Sequence, residues 1–229
     1  MTKVSVIIPA AGAGRRFGTA GNKIHQTLAG EPIFLRTLEV FAGRADVVQI
    51  LLVVAPEEQA SIGREFADRL EKMGVALVAG GNRRSESVRN ALAAVCAEAE
   101  LVCVHDAVRP CVAQAWIEAV FAEAARSGAA ILAYPVHGTL KKVTDERTGL
   151  IDATVTRVHL WQAQTPQVFR RAILQAAYQA DLSEATDDAQ LVEAAGHPVR
   201  VVMGDPRNLK ITTPSDLVLA EAIWASMNG

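Results

Sequence analysis

Between the apolar run Val4-Ser5-Val6-Ile7-Ile8-Pro9 and the first helical segment, the chain carries Ala10-Ala11-Gly12-Ala13-Gly14-Arg15-Arg16-Phe17-Gly18. Small residues let a backbone approach a ligand closely and aim several N–H groups at it, while the paired arginines add positive charge at any physiological pH. Such a loop suits a phosphate-rich anion. Two glycines after a strand also serve simply to turn a chain, so the pattern alone does not decide. A dinucleotide fingerprint needs its third glycine one residue before Gly18, and a Walker A loop needs Gly-Lys-Ser/Thr where Lys23 follows Gly21-Asn22 and precedes Ile24. Neither motif fits.

Three further clusters could do chemistry. Val102-Cys103-Val104-His105-Asp106-Ala107-Val108-Arg109-Pro110 ends an apolar strand with an acid and a base three residues apart. In an open parallel sheet that end lies on the rim where ligands bind, the same rim as the Gly12 loop, although an Asp-Arg pair can also merely brace a turn. Gly80-Gly81-Asn82-Arg83-Arg84-Ser85-Glu86-Ser87 follows a short strand and opens a helix. Ser85 is the expected cap there, and free N–H groups could meet polar ligand edges. Asn208-Leu209-Lys210-Ile211-Thr212-Thr213-Pro214 places a lysine before the last helix, where alone it reads as a solvated surface charge.

The elements that must position these clusters alternate. Strand-like runs at 4–9, 47–54, 75–78, 101–105, 129–134 and 199–203 are mostly separated by segments of helical period, which predicts an α/β fold with a mostly parallel sheet and helices on both faces. Pro32, Pro56 and Pro214 stand where helices open. Ile62, Phe66, Leu70 and Met73 mark one buried stripe, Trp116, Ile117, Val120, Phe121 and Ala124 a second, and Leu217, Ala220, Ile223, Trp224 and Met227 a third. The stretch from Leu140 to Trp161 breaks the alternation: rich in Thr, Val and charge, with a turn at Thr148-Gly149, it predicts a projecting β-ribbon.

The 229 residues suit one α/β domain with an appendage, and a mean hydropathy of +0.18 provides for a large core. A net charge of −2 argues against a nucleic-acid-coating surface, and the longest apolar runs are too short to cross a bilayer, so neither nucleic acid nor membrane is an expected partner. Pro9 and Gly12 interrupt the first apolar run before it could act as a signal peptide, which predicts a cytoplasmic protein. Cys96, Cys103 and Cys111 lack the spacing of a zinc site or disulfide framework.

In order, P-A-A-G-x-G-R-R, a nearby lysine, G-G-x-x-R-x-x-S, V-H-D-A-V-R-P, P-V-x-x-T-x-K, T-P-Q and N-x-K-x-T make the chain resemble, over nearly its whole length, the 2-C-methyl-D-erythritol 4-phosphate cytidylyltransferases of the non-mevalonate isoprenoid pathway. The resemblance implies a single Rossmann-like nucleotidyltransferase domain with a dimerisation arm at about 137–161. It implies that Ala10, Ala11, Gly12, Gly14, Arg15, Gly81, Asn82 and Ser87 bind CTP, with Asp106 and Ala107 near the ribose, and that Arg16, Lys23 and Lys210 act on the phosphates. Asp106, Arg109, Thr139, Arg157, Thr165 and Thr186 would position methylerythritol phosphate, with Thr139, Arg157 and Thr165 reaching in from the second subunit of a homodimer. Mg²⁺ would be held mainly through the CTP phosphates, with no protein metal site. The chain departs from the usual pattern at Ile24-His25, Asn82 and Gly138. A cytidylyltransferase for another polyol phosphate, such as ribitol 5-phosphate, shares most of these motifs, and a nucleotide-binding protein without catalysis is the rival from another class.

The implied chemistry needs no evident base, because a phosphate monoester with its second pKa near ~6 already presents an ionised oxygen at neutral pH. A triphosphate of about −4 meeting a phosphate of about −2 leaves roughly −4 to offset after one Mg²⁺. Positioning and positive charge are what the protein must supply.

Overall fold

A computed structural model describes residues 1–12, 23–180 and 185–228. The chain runs through β1 (Val4–Pro9), a 3-10 turn (Lys23–His25), the short hairpin of β2 (Thr27–Leu28) and β3 (Glu31–Pro32), α1 (Ile33–Phe41), β4 (Val47–Val54), α2 (Pro56–Glu65), α3 (Ala67–Lys72), β5 (Val75–Ala79), α4 (Arg84–Leu92) and β6 (Leu101–Val104). It continues with α5 (Gln114–Ser127), β7 (Ala129–Pro135), β8 (Leu140–Val143), β9 (Ile151–Val155), β10 (Trp161–Arg170), α6 (Arg171–Ala177), α7 (Asp188–Ala194), β11 (Arg200–Met203) and α8 (Pro214–Asn228).

Seven strands form one sheet in the order β11-β7-β10-β6-β1-β4-β5. Alternate residues of β1 enter two separate cores: Val4, Val6 and Ile8 pack with α1, α5 and α8, whereas Ile7 packs with α4, α6 and α7. Helices on both faces follow from central strands such as β1, β4 and β6 that carry apolar residues on both faces, since neither face then tolerates water. From β1 the chain moves outward to β4 on one side and later to β6 on the other. The crevice between the carboxyl ends of β1 and β6 is therefore a topological switch point, where doubly wound sheets bind ligands.

Two sequence expectations need correction. The single stripe through Ile62, Phe66, Leu70 and Met73 is split between α2 and α3, which meet at a non-helical Phe66. The expected ribbon to Trp161 is shorter: β8 and β9 pair with each other and β9 is wholly exposed, but Trp161 begins β10. β10 runs antiparallel between β6 and β7, with residues 164–169 buried. The helix-opening prolines behave as expected, with Pro56 and Pro214 as first helical residues and Pro32 just before α1.

Gln167 on β10 ties α7 to the sheet. Its carbonyl accepts the N–H groups of Asp188 (3.1 Å) and Ala189 (3.0 Å), and its amide donates to Asp187 Oδ2 (2.8 Å). At 1% exposure no water can replace these bonds. Gln167→Leu strands two backbone donors, and chemical denaturation should show a loss of about 2–3 kcal/mol.

Candidate active site

A cavity of about 700 Å³ opens at the switch point. One wall is the small-residue turn Ala10-Ala11-Gly12 after β1, another the Gly80–Ser87 segment leading into α4, and the floor Asp106-Ala107-Val108 after β6. Gly80 explains how the first two walls meet: a Cβ there would lie 2.5 Å from the Ala11 Cβ. Only glycine permits that approach.

The start of α4 differs from expectation. Ser85 does not cap it; the Glu86 carboxylate does, accepting the N–H groups of Asn82 (2.8 Å) and Arg83 (3.3 Å). Ser85 is the second residue of the helix, two past the capping position at Arg83; it is buried, and its side chain is too short to reach back to those donors as the longer Glu86 does. Ser87 Oγ donates to the Arg83 carbonyl (3.0 Å) and accepts from Gly81 N–H (3.1 Å), closing the turn that presents Gly81 and Asn82 to the cavity.

Asp106 is the electrostatic centre. Its Oδ1 lies 3.3 Å from Arg84 Nε, and its Oδ2 lies 3.3 Å from Arg109 Nε and 2.8 Å from Lys210 Nζ. Burial would push this carboxyl up, but the charges of Arg84, Lys210 and Arg109 outweigh it and hold the group well below the usual carboxylate range. Arg84 also reaches Asp188 Oδ2 at 2.8 Å, so three cations face two carboxylates and one net positive charge remains.

Lys210 is carried to Asp106 by its neighbours. The Asn208 carbonyl accepts from Arg109 (2.7 Å) and the Gln164 amide (3.1 Å), and Ile211 N–H donates to the Val108 carbonyl (2.9 Å). A lysine that reads as surface charge in isolation thus has its backbone fixed beside a buried carboxylate, with its ammonium resting on that group.

Beneath Asp106 a relay fixes its backbone. Asp106 N–H donates to Thr165 Oγ1 (3.1 Å), which lies 3.1 Å from His105 Nδ1, while His105 Nε2 lies 2.9 Å from the Arg109 carbonyl. A carbonyl only accepts, so Nε2 carries the proton and Nδ1 accepts the Thr165 hydroxyl. Burial pushes the His105 pKa down to about 4, so the ring stays neutral.

The cavity therefore brings together Ala10, Ala11, Gly12, Gly81, Asn82, Ser87, Asp106, Ala107 and Lys210, with Arg109 paired to Asp106. Gly14, Arg15 and Arg16 lie outside the described residues. Lys23 falls in the 3-10 turn beside the lining residue Ile24. Thr139 and Arg157 are exposed on the arm and do not line the cavity; the Arg157 guanidinium donates to the His137 carbonyl. Thr186 is exposed and donates through both its N–H (2.8 Å) and its hydroxyl (2.9 Å) to Gln190 Oε1. Thr165 requires a correction: expected to reach in from a second subunit, it sits at 4% exposure against its own chain's Asp106, because β10 is a central strand. Arg84, His105, Gln164 and Asp188 were missed as site residues. Arg84 stood within a recognised motif, but no sequence signal pairs it with Asp188.

A doubly wound sheet whose switch point joins a small-residue turn to gathered cations defines a nucleotide-binding α/β protein. The family model for IspD, 2-C-methyl-D-erythritol 4-phosphate cytidylyltransferase, matches residues 4–226. The chain is 45% identical to the 2-C-methyl-D-erythritol 4-phosphate cytidylyltransferase of Rhodopirellula baltica, over 96% of this chain and 94% of that protein. It is 43% identical to that of Geobacter metallireducens over 96% of each. The crystal structure of the Thermus thermophilus protein of the same name superposes with a TM-score of 0.80 at 36% identity, covering 97% of this chain and 98% of that one. The chain belongs to the 2-C-methyl-D-erythritol 4-phosphate cytidylyltransferase family.

The relay has a pH signature. His105 is neutral when folded down to about pH 4, whereas the unfolded chain takes up that proton near 6.5. The unfolded state binds more protons in this window, so stability is present above 6.5 and is lost as pH falls toward 4, by about 3 kcal/mol. Denaturation curves across that range should show the loss, and His105→Gln should flatten it even if the variant is less stable throughout.

Proposed function

We infer that this chain transfers CMP from CTP to 2-C-methyl-D-erythritol 4-phosphate, giving 4-diphosphocytidyl-2-C-methyl-D-erythritol and pyrophosphate for isoprenoid biosynthesis. The observation that carries this reading, beside family membership, is the cation cluster held on Asp106 at the mouth of a small-residue turn.

The substrate phosphate enters already ionised, and its oxygen attacks the α-phosphorus of CTP. A new P–O bond forms while the bond to the β-phosphate bridging oxygen breaks, and pyrophosphate leaves with that electron pair. Catalysis consists of alignment and charge stabilisation. Ala10, Ala11, Gly12, Gly14, Gly81, Asn82 and Ser87 hold the cytidine, whose base meets the turn closed by Ser87, and Asp106 and Ala107 lie by the ribose. Arg16, Lys23 and Lys210 are assigned to the triphosphate, and Arg15 to CTP binding. Asp106, Arg109 and Thr186 receive the polyol phosphate, joined by Thr139 and Arg157 of the partner subunit. Thr165 contributes by fixing the Asp106 backbone.

Mg²⁺ is the cofactor of this reading. Among the described residues no three His, Cys, Asp or Glu side chains gather as a metal cage, and Asp106 already faces three cations. That donor set fits an ion carried on the triphosphate, where it would neutralise phosphate charge. The enzyme acts as a cytoplasmic homodimer. What supports the dimer is the arm, where Val143 on β8, Ile151 and Val155 on β9 and Leu150 just before β9 are exposed, and where the two strands pair, among the described residues, only with each other. No helix among the described residues is long and apolar enough to cross a membrane.

Pyrophosphate release with CTP, Mg²⁺ and 2-C-methyl-D-erythritol 4-phosphate tests the function directly; preferred turnover of ribitol 5-phosphate, or of UTP over CTP, would overturn it. Lys210→Ala should lower kcat by about 10²-fold or more with the fold intact by circular dichroism. For the shared site, Lys23→Ala and Arg157→Ala homodimers should each be nearly inactive, and allowing their subunits to exchange should restore activity, because one site of the mixed dimer then has both residues. Exchange verified by mass spectrometry without recovered turnover would place Arg157 in its own subunit's site.

A further inference from the structure

Behind the cavity wall, Asp188 and Tyr178 form a buried pair joined to the site through Arg84. Arg84, the first residue of α4, spans two carboxylates, with Nε 3.3 Å from Asp106 Oδ1 and a terminal amino group 2.8 Å from Asp188 Oδ2. Asp188 is fully buried, and its other oxygen accepts the Tyr178 hydroxyl. Its backbone N–H is spent on Gln167. Arg84 lines the cavity, but Asp188 and Tyr178 do not.

An exposed ion pair contributes little, because both side chains move and water screens them. Here the rear carboxylate cannot move: each oxygen has a partner, and its backbone is bonded to a central strand. A planar guanidinium gripped at two edges loses its freedom to rotate. The division of contacts on Asp106 follows from this. Because Asp188 supplies a counter-charge for Arg84, Asp106 meets Arg84 with Oδ1 alone and leaves Oδ2 for both Arg109 and Lys210.

We propose that Asp188 and Tyr178 are positioning residues for nucleotidyl transfer, fixing Arg84 in the cavity wall so that Asp106 presents Arg109 and Lys210 to the substrates. This rests on reading the cavity as the CTP site. A purely architectural latch between α7 and α4 would be served as well by apolar side chains, since a buried charge must be desolvated.

The test compares the full chain with Tyr178→Phe, Asp188→Asn, Arg84→Gln and the two doubles Arg84→Gln/Asp188→Asn and Arg84→Gln/Tyr178→Phe. Readouts are kcat and KM for both substrates, melting temperature, and the ¹⁵N–¹H signal of Arg84 Nε, identified by its loss in Arg84→Gln. Asp188→Asn should lower kcat/KM by roughly 10- to 100-fold, and Tyr178→Phe by roughly 2- to 10-fold. Each double should be no worse than Arg84→Gln alone, and the slowly exchanging Nε–H signal of the wild type should weaken in both single variants. If Asp188→Asn does not fold, the Tyr178→Phe cycle decides. Wild-type kcat/KM in a folded single variant, whatever its melting temperature, would overturn the proposal, as would doubles whose losses equal the product of the singles. A wild-type chain that turns over no CTP would sink the assigned function instead. In that case an Nε–H signal unchanged in the single variants would still refute the fixing of Arg84.

Discussion

The site depends on one constraint: three cations must stand close together before any phosphate arrives. Like charges at such separations repel strongly where water is scarce, and the buried Asp106 carboxylate makes their proximity tolerable. Desolvating such a cluster is costly, and removing one partner from a buried pair typically costs about 3–5 kcal/mol, so the arrangement is poorly explained as a device for stability. It makes sense as preorganisation. Charge held in place beforehand need not be gathered during the reaction, and that is where electrostatic catalysis gains over water.

Everything around Asp106 serves that constraint through a different part of the fold. β6 delivers the carboxylate to the switch point. The Thr165–His105 relay orients its backbone, and the bonds of Asn208 and Ile211 to the 108–109 segment bring in Lys210. The relay works only because His105 is neutral. A protonated ring could not accept the Thr165 hydroxyl, and it would add a fourth positive charge beneath a cluster that already carries one in excess.

What was legible in the sequence is what is written locally. Strands buried on both faces read as predominantly apolar runs, so β1, β4, β6 and β7 were visible, and small residues with adjacent arginines or Asp-x-x-Arg advertise anion chemistry over a few positions. β10 was invisible for the same reason that it matters: its buried residues include Gln164, Thr165 and Gln167, interrupted by Pro166, and such a run lacks the apolar signature of a central strand. Those side chains are polar because they pin Asn208, orient Asp106 and hold α7. The pairing of Arg84 with Asp188 was unreadable because it arises where α4 and α7 meet, and no spacing rule links residues on separate elements. Ser85 misled because a serine near a helix start usually caps it, whereas Glu86 reaches back to those donors here.

The three cations on Asp106 are not equivalent, and their differences match the demands of an in-line transfer. The Arg109 side chain is only 11% exposed and donates to the Asn208 carbonyl as well as to Asp106, and Arg84 is gripped by two carboxylates. Both arginines are fixed charges. Lys210 is 36% exposed, and its ammonium is a compact charge on a flexible stem, able to leave Oδ2 and follow a phosphate oxygen as negative charge builds on the leaving group. The carboxylate it leaves stays ionised because two arginines remain beside it. In the proposed transfer, a cation on a flexible stem beside two anchored ones would follow the moving charge of the reaction without loss of the frame that aligns the substrates.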